Sequence, residues 1–394
     1  MAPLMIRSPG LWDHAVDSLW SLLNRDAEPQ SSFAVEIGAR STRIVTAMSR
    51  TLRIYSLVVL SIATLVAATP GTLDIYWIDV EGGAATLIVT PTGESLLADT
   101  GNPGDRDPGR IVDVATKQAG LKKLDYLLIT HFDGDHVGGA AAVAKMIPVS
   151  HFLDHGDTIS TVARDLEIFN GYKAAAEGKR QSLKPGDKVP MKGVSMEIVT
   201  SNGAVLAKAL PGGGPNPLCA SAQNKASDET ENRRTMGFLL SLGKFKFLDL
   251  GDLTWETEMQ LACPVNKIGT VTLFQATHHG FFGDRSGAPA FVGAIKPQIL
   301  VVNNGATKGW HPGAWNTVAA IPGVEAIWQV HLAANNDKDH NVKEDRIANL
   351  EAPPGGGRGP GNDKGYWLKA SVSRDGGITI TNSRNNYSET YKTR

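Results

Sequence analysis

The segment His131-Phe132-Asp133-Gly134-Asp135-His136 places four potential metal ligands within six residues. It follows an apolar run of strand length at 124–130 and precedes Gly138-Gly139-Ala140-Ala141, small residues that can open a helix. Imidazoles and carboxylates crowded at one strand end repel one another or stay underused without a cation, whereas two divalent ions satisfy all four. The spacing therefore predicts a two-metal centre. The competing reading is a solvated acidic loop with incidental histidines.

Around this loop, short apolar runs alternate with helical patterns. Strands are expected at 73–80, 85–89, 95–98, 125–130, 151–154, 194–199, 235–242, 245–250, 271–275, 299–302 and 326–329. Helices are expected at 110–119, 139–146, 162–177, 254–261, 289–294 and 314–320. Their interleaving points to α/β layers rather than an all-β sandwich. Residues 202–232, rich in Gly, Pro and Asn, and 333–364, centred on Pro353-Pro354-Gly355-Gly356-Gly357, read as long surface loops. After the second, 366–372 and 378–382 flank Asp375-Gly376-Gly377 as a closing hairpin. No internal repeat is present.

Near the other end, residues 54–68 form an apolar stretch preceded by Arg50 and Arg53 and followed by Val66-Ala67-Ala68-Thr69-Pro70. It is short for a membrane span and has the charged, apolar, small-residue order of an export signal. The expected organisation is an N-terminal extension at 1–47, mis-called or disordered, a signal peptide or anchor at 48–69, and one domain at 70–394 exported to the periplasm or medium. An internal buried helix is the alternative for 54–68. Residues 1–69 hold six of the 39 basic and five of the 40 acidic side chains, which leaves 33 against 35 in the rest. So neutral a balance gives no global attraction to nucleic acid, and no stable nucleic-acid complex is expected. The two cysteines, Cys219 and Cys263, have no zinc-finger spacing; they could pair in an oxidising compartment or remain buried thiols.

The His-x-Asp-x-Asp-His run followed by Gly-Gly resembles the signature of the metallo-β-lactamase superfamily, in the variant with Asp at the second ligand position. The resemblance extends upstream to Ile78-Asp79-Val80-Glu81-Gly82-Gly83-Ala84-Ala85 and Leu97-Ala98-Asp99-Thr100-Gly101, which are similar to the hydrolase domain of ComEC-type competence proteins. Downstream it takes in residues 232–242, Phe247-Leu248-Asp249-Leu250-Gly251-Asp252, Ala276-Thr277-His278-His279-Gly280 and His311-Pro312, in the order that family shows. The implied fold is an α/β, αββα sandwich with the metals at one edge. By position, His131 and Asp133 would hold one metal, Asp135 and His136 the other, and Asp252 would bridge both. His278 or His279 would complete the coordination of the second metal, with His279 slightly favoured.

One departure stands out. The superfamily usually supplies a further His ahead of the strand leading to the bridging aspartate, and here that region reads Asp228-Glu229-Thr230-Glu231-Asn232-Arg233-Arg234-Thr235. Asn232 is the positional match, with Asp228 second. His151 and His155 are either drawn in or surface histidines. His311 either protonates a leaving oxygen or merely precedes a helix begun by Pro312. His331 and His340 are expected to be solvated, and Arg233 and Arg234 either grip a phosphate or face water. The cofactors implied are two divalent ions, zinc first, with Mn²⁺ or Mg²⁺ tolerated by the oxygen-rich first site. The expected activity is phosphodiester or nuclease hydrolysis by a metal-bridged hydroxide, with Asp135 and Asp252 fixing the metals and His311 assisting. Alternatives are an ester or lactone hydrolase on the same fold, or a metal-poor binding module.

Overall fold

In the computed structural model, the described residues are 71–282, 285–334, 336–351 and 364–394. The extension, the signal or anchor and the Pro-Gly-rich centre of the second loop lie outside them. Residues Pro70–Arg394 make one compact unit. No helix among the described residues is long and apolar enough to cross a membrane.

Two nine-stranded sheets stack face to face. The first contains β1 (Leu73–Ile78), β2 (Thr86–Val89), β3 (Ser95–Ala98), β4 (Leu124–Leu128), β5 (Val149–Asp154), β6 (Arg180–Ser182), β18 (Trp367–Val372), β19 (Gly377–Asn382) and β20 (Ser388–Lys392), in the order β20-β19-β18-β1-β2-β3-β4-β5-β6. The second contains β7 (Lys188–Val189), β8 (Ser195–Ser201), β11 (Gly237–Leu242), β12 (Phe245–Asp249), β14 (Leu273–Gln275), β15 (Ile299–Val302), β16 (Ala326–His331) and β17 (Ile347–Asn349), in the order β17-β16-β15-β14-β12-β11-β8-β7, with β9 (Ala204–Val205) beside β8. β10 (Gly214–Pro215) pairs with β13 (Val265–Asn266) alone.

Burial follows from these positions. The central strand β15 is buried at all four residues because it is covered on both faces, whereas β18 and β19 alternate buried with half-exposed, as strands with one wet face do. Leu73, Ile75, Trp77 and Leu96 of the first sheet meet Phe238, Leu240, Phe247 and Val301 of the second in the inter-sheet core. Trp77 and Phe247 form an edge-to-face pair across it at 5.8 Å. Outside the first sheet pack α1 (Arg106–Asp113), α2 (Gly134–Val137), α3 (Ala140–Met146) and α4 (Ala163–Ala175), through Ile111, Val137, Val143 and Phe169. Outside the second pack α5 (Trp255–Ala262), α6 (Pro289–Ile295) and α7 (Pro312–Ala319), through Leu261, Phe291 and Val318. The layers are those expected, αββα.

Four local expectations need correction. The helix expected at 110–119 starts earlier, at Arg106, and its second half, Val114–Gln118, is wound as a π-helix. The C-terminal hairpin gains a third strand, β20, whose Tyr391 packs on the core. The 202–232 segment carries short strands and a 3-10 turn, Pro217–Ser221, joined to α5's end by the Cys219–Cys263 disulfide. β16 runs two residues further than expected, so His331 is fully buried rather than solvated.

β3 to β6 run parallel to one another, as do β12, β14, β15, β16 and β17. Loops that leave the carboxyl ends of parallel strands are where α/β sheets expose functional groups, and here the loops after β4, β12, β14 and β15 converge.

Candidate functional site

The loop after β4 carries the first ligands. Thr100 N donates to His136 O at 2.7 Å, which ties α2 to the turn after β3. A side chain at Gly138 would place its Cβ 2.1 Å from Gly134 O and 2.4 Å from Pro103 Cδ, so only glycine allows this close approach. Asp99, at the end of β3, accepts from Thr130 N at 2.8 Å and Thr130 Oγ1 at 2.7 Å, and hydrogen-bonds His136 Nδ1 at 2.7 Å. That contact turns His136 Nε2 towards the cluster, as a carboxylate behind a metal-binding imidazole does. Asp99 was visible in the sequence within its motif but had no role there; the structure supplies one.

Asp252 and the two consecutive histidines arrive from the other sheet. Asp252 Oδ1 lies 3.3 Å from His136 Nε2, and its Oδ2 lies 3.4 Å from His278 Nε2 and 3.3 Å from His279 Nε2. Asp135 Oδ2 is 3.7 Å from His136 Nε2 and 3.4 Å from His279 Nε2. His131 Nε2 is 3.6 Å from Asp133 Oδ2, whose side chain stands at the wetter lip of the site. His131, His136 and Asp252 form one group of converging ligand atoms, and Asp135, His136 and His279 another. His278 and His279 both have positive φ, 53° and 54°. This left-handed turn is strained for non-glycine residues and brings both rings to the same carboxylate. It is held by His278 N donating to Gly251 O at 2.8 Å and Trp310 N to His279 O at 3.0 Å.

The electrostatics follow from the packing. Burial alone would raise Asp252, but His279, His278 and His136 outweigh it and hold its carboxyl well below the usual range. Asp135 is likewise depressed despite its burial, by His136, His279 and Lys308. Burial would lower His136, yet Asp252, Asp99 and Asp135 keep it well above an ordinary imidazole. Burial drops His278 to about 4. Beneath the cluster, Asp249 is raised to about 7 by burial; its Oδ1 accepts from Gly251 N and Gln275 Nε2, and Gln275 Oε1 accepts from Trp77 and Thr86. This network joins the two sheets under the loops that bear the ligands.

Other residues singled out from the sequence scatter. Asn232 sits on the 3-10 turn Glu231–Arg234, buried, with no hydrogen-bond partner for Oδ1. Four residues on, Met236 N donates to Thr130 O, beside His131. Asp228 accepts from Thr230 N and Oγ1 within its own turn. His155 is buried, 2.9 Å from Glu231 Oε1, with its ring on Phe132 between His131 and Asp133, while His151 is exposed and stacks on Tyr126. His311 precedes α7 and packs edge-on to Phe281, which also packs on His278. His340 pairs with Asp337. His331 closes a second buried group with Glu81, 3.6 Å away, and Asp79. Arg110 already donates to Asp79 Oδ2 at 2.9 Å, so this group is a braced ion-pair network holding the 81–84 loop, where Ala84 N donates to Asp135 O. Lys308 was not anticipated: its ammonium contacts Asp135 Oδ2 directly. A lone lysine in a Gly-rich loop carries no local signal of such a contact.

Comparison with known proteins agrees with this geometry. Residues 78–224 match the model of the metallo-beta-lactamase superfamily. A UPF0173 metal-dependent hydrolase of Cupriavidus metallidurans is 41% identical over 85 residues, 21% of this chain and 26% of that protein. A UPF0173 metal-dependent hydrolase of Cupriavidus necator is 25% identical over 238 residues, 59% of this chain and 73% of its own. Recombination protein 2 of Haemophilus influenzae is 22% identical over 242 residues, 61% of this chain and 25% of that protein. The chain thus spans about a quarter of the first and third of these relatives.

Proposed function

We propose that this chain, whose residues 78–224 match the metallo-β-lactamase superfamily, is a metal-dependent hydrolase of phosphodiesters, which uses the His/Asp cluster as its centre. The donor set fits divalent ions: His131 Nε2 and Asn232 Oδ1 are buried with no hydrogen-bond partner, and the carboxylates of Asp133, Asp135 and Asp252 crowd against four imidazoles. Such atoms are costly to bury unless something satisfies them. His131, Asp133 and Asn232 would hold one ion, Asp135, His136 and His279 the other, with Asp252 between them. When bound, the ions would supply Lewis acidity that acidifies water and offsets charge on the attacked and leaving oxygens.

The remaining work falls to the chain's own residues. Asp99 fixes the ring of His136. His278, kept neutral in its buried place, lies against Asp252 and can accept or donate a hydrogen bond there. His311 packs on Phe281, which in turn packs on His278, and would assist a departing oxygen. The observation that carries the choice of an anionic substrate is Lys308: its ammonium sits at the cluster, partly exposed, where it would offset phosphoryl charge. A phosphodiester keeps its negative charge throughout the reaction, whereas a neutral ester or lactone brings none. The Cys219–Cys263 disulfide supports action in an oxidising compartment outside the cytoplasm.

The test is a panel of bis-p-nitrophenyl phosphate, p-nitrophenyl acetate, a simple lactone and nitrocefin. Diester cleavage that falls at least tenfold in Lys308→Ala, with the neutral substrates poor, supports the reading. Faster turnover of the lactone or ester, indifferent to Lys308, overturns it in favour of carbonyl hydrolysis.

A further inference from the structure

The turn Glu231–Arg234, which bears Asn232, also contributes Arg233 and Arg234 to a small recess that the phosphodiesterase reading leaves without a task. Asn202 and Gly203, in the turn between β8 and β9, enclose it with Ile159, Glu229, Thr230, Arg233 and Arg234, around a volume of about 200 Å³. Two arginines and one glutamate line it, so the lining has a net positive charge. Arg234 Nη1 donates to Asn202 Oδ1. Arg233 Nη1 makes a long pair, 3.3 Å, with a Glu229 side chain that is 77% exposed and therefore easily displaced. Arg233 Nε is buried and has no hydrogen-bond partner. The Arg233 side chain is 34% exposed and keeps this donor unspent, and an oxyanion is the ligand whose geometry a guanidinium fork matches.

The recess is rigidly tied to the centre. Glu231, next to Asn232, accepts from Ile159 N and Thr158 Oγ1 at 3.2 Å each and pairs with His155 at 2.9 Å. His155 in turn packs on Phe132, between His131 and Asp133. A group held by Arg233 and Arg234 is thus fixed one residue away from Asn232. Resting on the phosphodiesterase reading, we infer that this recess is an anion subsite that takes a second phosphate of the substrate, adjacent to the scissile diester. The ligand chemistry is a phosphate with at least two free oxygens, supplied either by the terminal phosphate of a short oligonucleotide or by its next backbone phosphate. The near-neutral chain gives no general attraction to long polymers, so a local pair of guanidinium groups is what selects the substrate.

The experiment measures kcat and KM of the metal-loaded protein on a thymidine dinucleotide, the same dinucleotide with a 5′-phosphate, and the trinucleotide. The wild type should favour the phosphorylated dinucleotide by about tenfold or more in kcat/KM, as charge-assisted hydrogen bonds do. Arg233→Ala and Arg234→Ala should cut that ratio towards one, chiefly through KM, and Arg233→Lys should retain part of it. Preference for the trinucleotide instead identifies the backbone phosphate as the occupant and upholds the subsite. Equal cleavage of all three by the wild type overturns the inference while leaving the phosphodiesterase reading intact, and this arm needs no variant to fold. Failure to cleave any diester, bis-p-nitrophenyl phosphate included, removes both.

Discussion

Glu258 offers a sharp test of how the His278–His279 turn is held. The residue is fully buried on α5, and its Oε2 accepts from Ala288 N at 2.8 Å, at the end of the segment that begins with the two histidines. Burial pushes its carboxyl from 4.5 to about 8. Between these values the folded chain binds more protons than the unfolded chain, so stability must fall as pH rises, with a limiting slope of about 1.4 kcal/mol per pH unit. Across the window the loss is on the order of 4 kcal/mol. Glu258→Gln keeps the volume and an acceptor for Ala288 N but does not titrate. Urea unfolding of both proteins from pH 5 to pH 8, compared as a difference at each pH, cancels every group they share. The variant should match the wild type within about 1 kcal/mol at pH 5 and exceed it by several at pH 8. Parallel pH curves, or a variant weaker by the same amount throughout, would refute the claim that a neutral carboxyl braces this turn.

Two further outcomes follow from the same geometry. Asp99→Asn removes the charge behind His136 while keeping shape, and should weaken metal binding by about tenfold to a hundredfold in a chelator competition titration; an unchanged affinity would deny Asp99 its orienting role. Gly309→Ala would push a Cβ to 2.0 Å from His279 O at a φ of +79°, so turnover should drop at least tenfold while far-UV circular dichroism stays near the wild type, and full activity would show that the loop relaxes freely.

Much of this was legible from residue order. The strands of the inner layers are short apolar runs bounded by turns, and their burial repeats the pattern of the sequence. The 131–136 loop was legible because its ligands are local: six residues contain four of them. Asp252, His278 and His279 were placed only through the resemblance, since nothing in a strand-end aspartate foretells that it meets a histidine of the other sheet. The misses are tertiary in origin. His331 looked solvated because polar residues follow it, but β16 carries it inward to Glu81 and Asp79. Lys308 reaches Asp135 across 173 positions, and its neighbours in sequence say nothing of that distance. The edge strand β20 alternates exposed with half-exposed, so it lacks the apolar face that marks a strand. The pairing of Cys219 with Cys263, which the sequence left open for want of a motif, is made by the 3-10 turn at Pro217–Ser221 beside the end of α5.

The claim on which everything else depends is that the convergent imidazoles and carboxylates form a two-ion centre. Elemental analysis of the full chain, purified without chelator, tests it most directly, alongside Asp252→Ala. About two divalent ions per wild-type chain, reduced in the variant, is the expected result. A folded wild-type protein that carries no metal after dialysis against zinc or manganese, or a variant that binds as much as the wild type, would contradict it.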